Sequence, residues 1–299
     1  MSSGNLTADR RFAMAQTLRA EGDFAAAADV ISQALELAPT WAEGRFAFAE
    51  SLADASQQEA AVAAYQAYLA LDPADSMGAA ARLTLLGANP VPAELPAAYI
   101  ARLFDEYAPR FDSALTERLA YRGPEILKEA ISRVRPGRFS RVFDLGCGTG
   151  LSGAAVRDAA DWLGGVDLSA AMVRQAVGKG LYDHLEAGDM AAALRALHTP
   201  CDLIIAADVL VYIGELAPLF TVVRRQLTPS GLFAFTVQRA DKGDYTLGRE
   251  QRYSHSRAYI ARCAEGAGFK VALLEDVVTR QEAGKSVPGM AIVLTWRAG

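Results

Sequence analysis

The fold is decided by the stretch Val142-Phe-Asp-Leu-Gly-Cys-Gly-Thr-Gly-Leu-Ser-Gly153. Residues 141–145 form a largely apolar run that predicts a buried parallel strand. Glycines follow at alternate positions, and residues 151–160 are predicted to form a helix. A strand, a glycine turn and a helix make the first half of a nucleotide-binding βαβ unit. In such a unit the backbone can approach a ligand closely, and the helix N-terminus favours an anionic group.

Two classes of cofactor fit these glycines. The segment Gly148-Thr-Gly-Leu-Ser-Gly153 matches G-x-G-x-x-G, which is typical of nicotinamide and flavin enzymes. A different class is favoured by three acidic residues at the ends of predicted strands, namely Asp144, Asp167 and Asp189. With Asp144 two residues before the first glycine, they resemble, in this order, motif I and the two following strand motifs of the class I S-adenosylmethionine (SAM)-dependent methyltransferases.

The resemblance implies a role for each acidic residue. Asp144 is expected to support the glycine turn near the amino-acid end of SAM, and Asp167 to accept both ribose hydroxyls. Asp167 follows Gly146 by 21 residues, close to the spacing of a ribose-binding acid. Asp189 and the backbone of Met190 are expected at the adenine edge. The predicted cofactor-binding residues are Tyr107, Asp144, Gly146, Cys147, Gly148, Gly150, Asp167, Leu168, Asp189, Met190 and Asp208. The product would be S-adenosylhomocysteine (SAH).

Composition and charge exclude several classes of protein. Of 299 residues, 52% are hydrophobic and 22% charged, which is ordinary for a globular chain. The net charge of −5 gives no basic field, so nucleic-acid binding is not expected. The cysteines Cys147, Cys201 and Cys263 are dispersed, which predicts neither a zinc site nor a disulfide framework. Without a signal pattern or a membrane-length apolar run, we expect a cytoplasmic protein that uses no metal ion and no membrane.

The first ninety residues repeat with a period of 34. The matching positions are Gly22 and Ser56, Ala27 and Ala61, and Pro39 and Pro73. This is the period of the tetratricopeptide repeat, and we predict two such repeats followed by a capping helix at about 76–86. The predicted organisation is a repeat unit at 1–88, a proline-containing linker at 89–96 and a second domain at 97–299. The repeat unit either binds a protein partner or a second copy of the chain, or only packs on the rest of it. The sequence is compatible with both.

A helical leader precedes the glycine stretch and contains Phe104-Asp-Glu-Tyr-Ala-Pro-Arg-Phe-Asp112. It resembles the leader of small-molecule methyltransferases of quinone and biotin-type pathways, in which this segment folds over the cofactor. The resemblance implies a pocket role for Tyr107 and Phe111. The alternative is an amphipathic helix that packs on the edge of the sheet.

The segment Ala206-Ala-Asp-Val-Leu-Val-Tyr-Ile213 lies where the same superfamily carries its fourth motif. It lacks the Asn-Pro-Pro-Tyr form, which argues against adenine or glutamine amines as acceptors. Asp208 is expected either to contact the SAM amino group or to act as a general base. His255 follows Tyr253 in a polar stretch, where it is a second candidate base or a solvated loop residue.

The candidate catalytic residues are therefore His255, Tyr107 and Asp208, and the predicted acceptor pocket contains Phe111, Tyr212, Tyr253 and His255. Because the transfer must be closed to water, we expect residues 107–111 and 253–255 to converge over the methyl group.

The predicted fold is α/β, with a Rossmann-like seven-stranded sheet, helices on both of its faces and a small all-α repeat unit before it. The predicted strands cover residues 141–145, 163–167, 184–187, 202–206, 232–237, 270–275 and 290–296. The order of motifs resembles a bacterial family of tetratricopeptide-containing predicted methyltransferases. The resemblance implies methyl transfer from SAM and brings no substrate with it. We expect the acceptor to be an oxygen or nitrogen of a small molecule. The alternatives are methylation of a protein recruited by the repeat unit, and a non-catalytic SAM-binding interaction module.

Overall fold

The computed structural model describes residues 2–113, 121–282 and 284–296. The chain divides into two compact units, and the division falls between Tyr99 and Ile100. The first unit is helical, and the second is built on a mixed sheet.

The first unit contains five helices, which follow one another with short connections. They are α1 (Leu6–Ala20), α2 (Phe24–Leu37), α3 (Ala42–Asp54), α4 (Gln58–Leu71) and α5 (Ala79–Leu85). Side-chain caps fix two of the starts, because Asn5 accepts from the backbone of Thr7 and Ala8, and Asp23 from that of Ala26. Each helix packs on the next one along the chain.

Residues 34 positions apart are buried alike in this unit. Ala15 and its counterpart Ala49 are fully buried, as are Ala27 and its counterpart Ala61. Small residues at such positions let paired helices approach closely. The capping helix begins at Ala79, three residues later than the predicted start, because the Asp75 carboxylate accepts from the first backbone amides of the helix. The assignment of these helices to the tetratricopeptide family stays a prediction.

The second unit contains eight helices among its described residues. They are α6 (Ala97–Tyr107, which begins just before the division), α7 (Phe111–Ser113), α8 (Gly123–Val134), α9 (Leu151–Val156), α10 (Ala170–Lys179), α11 (Met190–Ala196), α12 (Ala217–Arg225) and α13 (Arg257–Gly266). The predicted N-cap of α10 is confirmed, because Ser169 Oγ accepts from the Met172 amide at 3.1 Å.

The sheet of this unit has nine strands in the described part of the chain. They are β1 (Phe139–Leu145), β2 (Ala160–Asp167), β3 (His184–Ala187), β4 (Cys201–Ala206), β5 (Leu227–Arg239), β6 (Tyr245–Leu247), β7 (Tyr253–His255), β8 (Lys270–Glu282) and β9 (Lys285–Thr295). Strands β3, β2, β1, β4 and β5 lie side by side in that order and are parallel. The antiparallel strand β9 follows on the other side of β5, and β8 pairs with β9.

The expectation of seven strands is corrected by a short hairpin formed by β6 and β7. The hairpin joins the sheet through Gln238 and Arg239 at the end of β5, which pair in parallel with Ser254 and His255 of β7. Strand β5 has β4 on one side, paired as far as Phe235, and β9 on the other side, paired as far as Gln238. Strand β7 therefore pairs with β5 on the same side as β4, beyond the end of β4. The polar segment predicted as a loop is thus a three-residue strand at the carboxyl end of the sheet.

Helices cover both faces of the sheet, as predicted. Ile204 and Phe233 point to a core completed by α11, α12 and α13, which contains Phe220 and Ile260. The alternate strand residues point to the opposite core, which α8 and α9 complete. Its members include Leu203, Leu232, Leu127 and Ile131. This alternation follows from the period of two along each strand. It leaves the ends of the parallel strands as the place for polar residues.

Candidate functional site

The glycine loop follows β1 and turns into α9. Gly146 has φ +65°, and a Cβ added there would lie 2.3 Å from Cγ2 of Val209, so any side chain at this position would clash. A Cβ added at Gly148 would lie 3.8 Å from the Phe111 ring, which is an ordinary contact distance. The first glycine is therefore required by packing, whereas the second keeps the backbone accessible to a ligand.

Asp167 ends β2 and joins the glycine loop to the second strand. Its carboxylate accepts from the Gly148 amide at 2.9 Å and from the Ser169 amide at 2.8 Å. A backbone bond from Cys147 to Val166, at 3.0 Å, runs beside them. Burial raises the pKa of Asp167, and the two amide bonds oppose that shift. Each carboxylate oxygen still has a lone pair for a further donor.

Asp144 is fully buried near the end of β1. Its Oδ2 accepts from the Tyr182 hydroxyl at 2.7 Å, and its Oδ1 has no partner among the described residues. Burial raises the pKa of Asp144 to about 7, although the Tyr182 bond opposes the rise. A buried carboxylate oxygen without a partner is costly, and a cationic ligand would relieve that cost.

Asp189 begins α11 immediately after the third strand. It is the N-cap of the helix, and its Oδ1 accepts from the Ala192 amide at 2.7 Å, so Met190 is the first helical residue. The strand order and register bring the ends of β1, β2 and β3 side by side, with Asp167 opposite Ala187. The three acidic residues predicted from the sequence therefore lie along one edge of the sheet. Leu168, also predicted, is half-buried directly after Asp167.

The leader is hydrogen-bonded to this edge at several points. Asp105 Oδ1 accepts from the Ser169 hydroxyl at 2.6 Å and from the Ala171 amide at 3.0 Å, at the start of α10. Further along, Asp112 accepts from Lys179 Nζ at 2.7 Å and from the hydroxyl of Thr149, which belongs to the glycine loop. The leader therefore contacts both the glycine loop and the start of α10.

Aromatic rings of the leader meet the loop that follows β4. Phe104 lies edge-on to Tyr212, with 5.5 Å between ring centroids, and also contacts Phe111 at 6.0 Å. Tyr107 packs against Phe111 at 5.5 Å and is half-buried. Phe111 and Tyr212 of the predicted acceptor pocket thus form one aromatic cluster with Tyr107, a candidate catalytic residue, beside the glycine loop. Phe104, the fourth ring, belongs to the leader motif, for which the sequence predicted no role at this position.

Asp208 follows β4 in a left-handed backbone conformation, with φ +54°. Its amide donates to the Thr236 hydroxyl at 2.8 Å, and both of its oxygens accept from Nη1 of Arg280, at 2.8 and 2.7 Å. Burial raises the pKa of Asp208, and the Arg280 charge opposes the rise. The strained backbone at this residue is typical of a functional position.

Arg280 belongs to a wider network of charges that the sequence did not predict. Its Nε donates to Glu282 at 2.9 Å, and Glu282 also pairs with Arg252. Arg252 in turn is hydrogen-bonded to Tyr212, whose pKa is raised by burial. These residues come from segments far apart in the sequence. The one available signal was the β-branched run Val277-Val-Thr279, which is typical of a strand and extends β8 beyond the predicted end at residue 275.

His255 does not occupy the position of a general base. Its ring is fully buried in β7, and Nε2 donates to the carbonyls of Ile213 and Gly214, at 2.9 and 3.2 Å. Burial lowers the pKa of His255 to about 4, so the ring is neutral near pH 7 and fixes the loop after β4. The ring stacks on Tyr259, with 5.9 Å between centroids, and Tyr253 is also fully buried. The solvated loop considered for this stretch is therefore wrong, and the contacts indicate a positioning residue.

The described residues fit SAM as a cofactor. The partnerless oxygen of Asp144 suits a cationic group, Asp167 has lone pairs for ribose hydroxyls, and the space at Gly148 admits a ligand next to the loop. Among the described residues, no group of three or more His, Cys, Asp or Glu side chains could hold a metal ion. None of the helices in the described ranges is long and apolar enough to cross a membrane.

Comparisons with known proteins identify the domain that contains the glycine loop. Residues 142–231 match the family of methyltransferase domains. Among proteins of curated function, none matches the chain. A SAM-dependent methyltransferase from Clostridium acetobutylicum aligns with a TM-score of 0.50 and 16% identity, over 66% of this chain and 100% of its own.

Two further solved structures share the fold. The [4+2]-cyclase SpnF aligns with a TM-score of 0.54 and 17% identity, over 67% of this chain and 96% of its own. A chain of the complex between the Haloferax volcanii Trm112 methyltransferase activator and a methyltransferase aligns with a TM-score of 0.52 and 19% identity, over 65% of this chain and 98% of its own.

Residues 142–231 therefore belong to a methyltransferase domain, and the chain is an enzyme. Its fold is that of the SAM-dependent methyltransferase to which it is similar.

Proposed function

We propose that this enzyme transfers the methyl group of SAM to an oxygen or nitrogen atom of a small molecule. The supporting observation is the aromatic cluster of Phe104, Tyr107, Phe111 and Tyr212 beside the glycine loop. A cluster built from the leader and the loop after β4 forms a wall suited to a small, partly apolar acceptor.

The proposed roles of the cofactor-binding residues follow from their contacts. Asp167 accepts the ribose hydroxyls through its remaining lone pairs, and Asp144 accepts the amino group of SAM through Oδ1. Asp189 and Met190 lie at the adenine edge, at the start of α11. When bound, SAM supplies an electrophilic methyl group on a sulfonium, which an acceptor displaces in line.

Catalysis then depends mainly on alignment and exclusion of water, which this chain's side chains provide. Intramolecular reactions assign about 7–11 kcal/mol of barrier reduction to such alignment. The rings of Tyr107 and Phe111 exclude water and can face a cation, at about 0.5–2 kcal/mol each. Asp208 is held by Arg280, yet each of its oxygens retains a lone pair that can accept a hydrogen bond from the acceptor. His255 fixes the loop that carries Tyr212.

The proposal is tested by following label from methyl-labelled SAM. The enzyme is incubated with a cell extract separated into a small-molecule and a protein fraction. We expect label in a small molecule, whose identification gives the acceptor, and no label with the variant Asp167→Asn. Label that enters only the protein fraction would overturn the proposal.

A second candidate is methylation of a protein recruited by the first unit. It is favoured by the repeat of 34 residues, in which the small residues Ala15 and Ala27 and their counterparts Ala49 and Ala61 are all fully buried, as in helical repeats that bind partners. A full-length chain with Met14→Glu, at a position that is 60% exposed on α1, provides the test. Loss of protein labelling or of self-association in sedimentation, with SAM affinity unchanged, would support this role. Unchanged labelling and association would argue that the first unit only packs on its own core.

A further inference from the structure

Arg280 is a buried cation, and one nitrogen of its guanidinium has no hydrogen-bond partner among the described residues. Only 1% of its side chain is exposed. The guanidinium has five N–H groups. Nη1 donates to both oxygens of Asp208 and Nε donates to Glu282, whereas Nη2 has no partner among the described residues. Buried N–H groups are nearly always paired, whereas the two N–H groups of Nη2, which diverge within the plane of the guanidinium, are not.

The charges around Arg280 are already balanced. Two cations, Arg280 and Arg252, face two carboxylates, Asp208 and Glu282. The unused N–H groups therefore do not reflect a missing counterion within the protein. They can donate to an oxygen atom that does not belong to the network of Arg280, Arg252, Asp208 and Glu282.

This guanidinium belongs to the same edge of the sheet as the cofactor loop. Its partner Asp208 precedes Val209, and the Val209 side chain covers Gly146. The unused donors thus lie near the site where the acceptor must meet the methyl group.

We propose that Nη2 of Arg280 binds a carboxylate of the methyl acceptor, so that the enzyme acts on carboxylate-bearing small molecules. A carboxylate oxygen accepts a charge-assisted hydrogen bond from a guanidinium N–H group, which is the strongest kind of hydrogen bond that Nη2 can form. A phosphate would bring nearly twice the charge towards Asp208 and Glu282 and would be repelled more strongly. This proposal rests on the proposed function. The bound carboxylate anchors the acceptor, and the methyl group goes to another atom of the same molecule.

The test uses matched carboxylates and amides on the full-length enzyme saturated with SAH. Acetate, benzoate and hexanoate are compared with acetamide, benzamide and hexanamide by calorimetry. We expect at least one carboxylate to bind about 10- to 100-fold more tightly than its amide. Arg280→Lys keeps a charge for Asp208 but cannot present the two donors of Nη2, so it should lose this preference while SAH affinity stays unchanged.

Each outcome of this experiment supports or overturns the carboxylate site or the proposed function. Equal binding of every acid and amide by the wild-type enzyme would overturn the carboxylate site alone, provided that SAH binds. A loss of SAH affinity in Arg280→Lys as large as the loss of carboxylate affinity would show that the α-carboxylate of the cofactor is the ligand, and would also overturn it. Failure of SAH to bind the wild-type enzyme would refute the proposed function itself. If Arg280→Lys does not fold, the double variant Asp208→Asn with Arg280→Gln removes the ion pair as a unit and should show the same lost preference.

Discussion

Replacing Asp167 by Asn tests the core of the cofactor site. The carboxylate already holds the amides of Gly148 and Ser169, and the proposed ribose contacts use its remaining lone pairs. Asn keeps one oxygen and replaces the other by an NH2 group, so one ribose hydroxyl loses its acceptor and the other loses a charged one. Hydrogen bonds to charged groups contribute about 1.5–3 kcal/mol, which gives a total loss of about 2–4 kcal/mol. SAM affinity should therefore fall about 30- to 1,000-fold.

Calorimetry with SAM measures this loss, and Asp183→Asn is the matched control. Asp183 also accepts a backbone amide, that of Leu163 at 2.7 Å, but it stands before β3, at the opposite end of the parallel strands. The control should lose some stability in urea and keep its SAM affinity. An unchanged dissociation constant in folded Asp167→Asn would remove this residue from the ribose site and refute the reasoning.

Three further predictions follow from burial and close packing. Burial raises the pKa of Asp144 to about 7, so the stability that protonated Asp144 gives the protein without SAM is lost as the pH rises through 7. SAM should bind more tightly over the same pH range. Asp144→Asn should remove this pH dependence of SAM binding in calorimetry. Because the pKa of His255 is lowered to about 4, stability in urea should fall by about 3 kcal/mol as pH drops from about 6.5 to about 4; His255→Gln should flatten that decline, and His198→Gln, at an exposed position, should not. Gly146→Ala would place a Cβ 2.3 Å from a neighbouring side chain at φ +65°. It should lower stability in urea by about 2–4 kcal/mol and weaken SAM binding. The control Gly188→Ala, whose Cβ would meet no described atom within 4 Å, should change neither.

The cofactor side of the site could be predicted because its signals are local. An apolar run, a glycine turn and an acid at each strand end fix where Asp144, Asp167 and Asp189 lie, since parallel strands bring their carboxyl ends to one edge. The seven predicted strands were placed correctly, although several were predicted too short and the two strands of the β6–β7 hairpin were missed. β5 extends from residue 227 to residue 239 because β4, β9 and β7 each pair with a part of it.

The acceptor side could not be predicted because it depends on pairing between distant segments. Arg280 meets Asp208 across 72 positions of sequence. That contact exists only because β8 continues to Glu282 along β9, where mostly polar residues give no apolar signal. His255 was misjudged for a related reason. A polar stretch predicts a loop, but two backbone carbonyls accept from Nε2 of the buried ring.

The long strand β5 limits the shape of an acceptor that can contact Asp208. β4 ends opposite Phe235, and the amide of Asp208 is bonded to Thr236, whereas β5 continues to Arg239 and carries β7 at its end. Those last residues rise roughly 10–13 Å at the usual spacing along a strand. The last residues of β5, together with β7, therefore extend beyond Asp208. A broad, flat molecular surface that contacts the ends of these strands would not reach Asp208. A slender molecule, or a single extended side chain, has the proportions to descend to that depth.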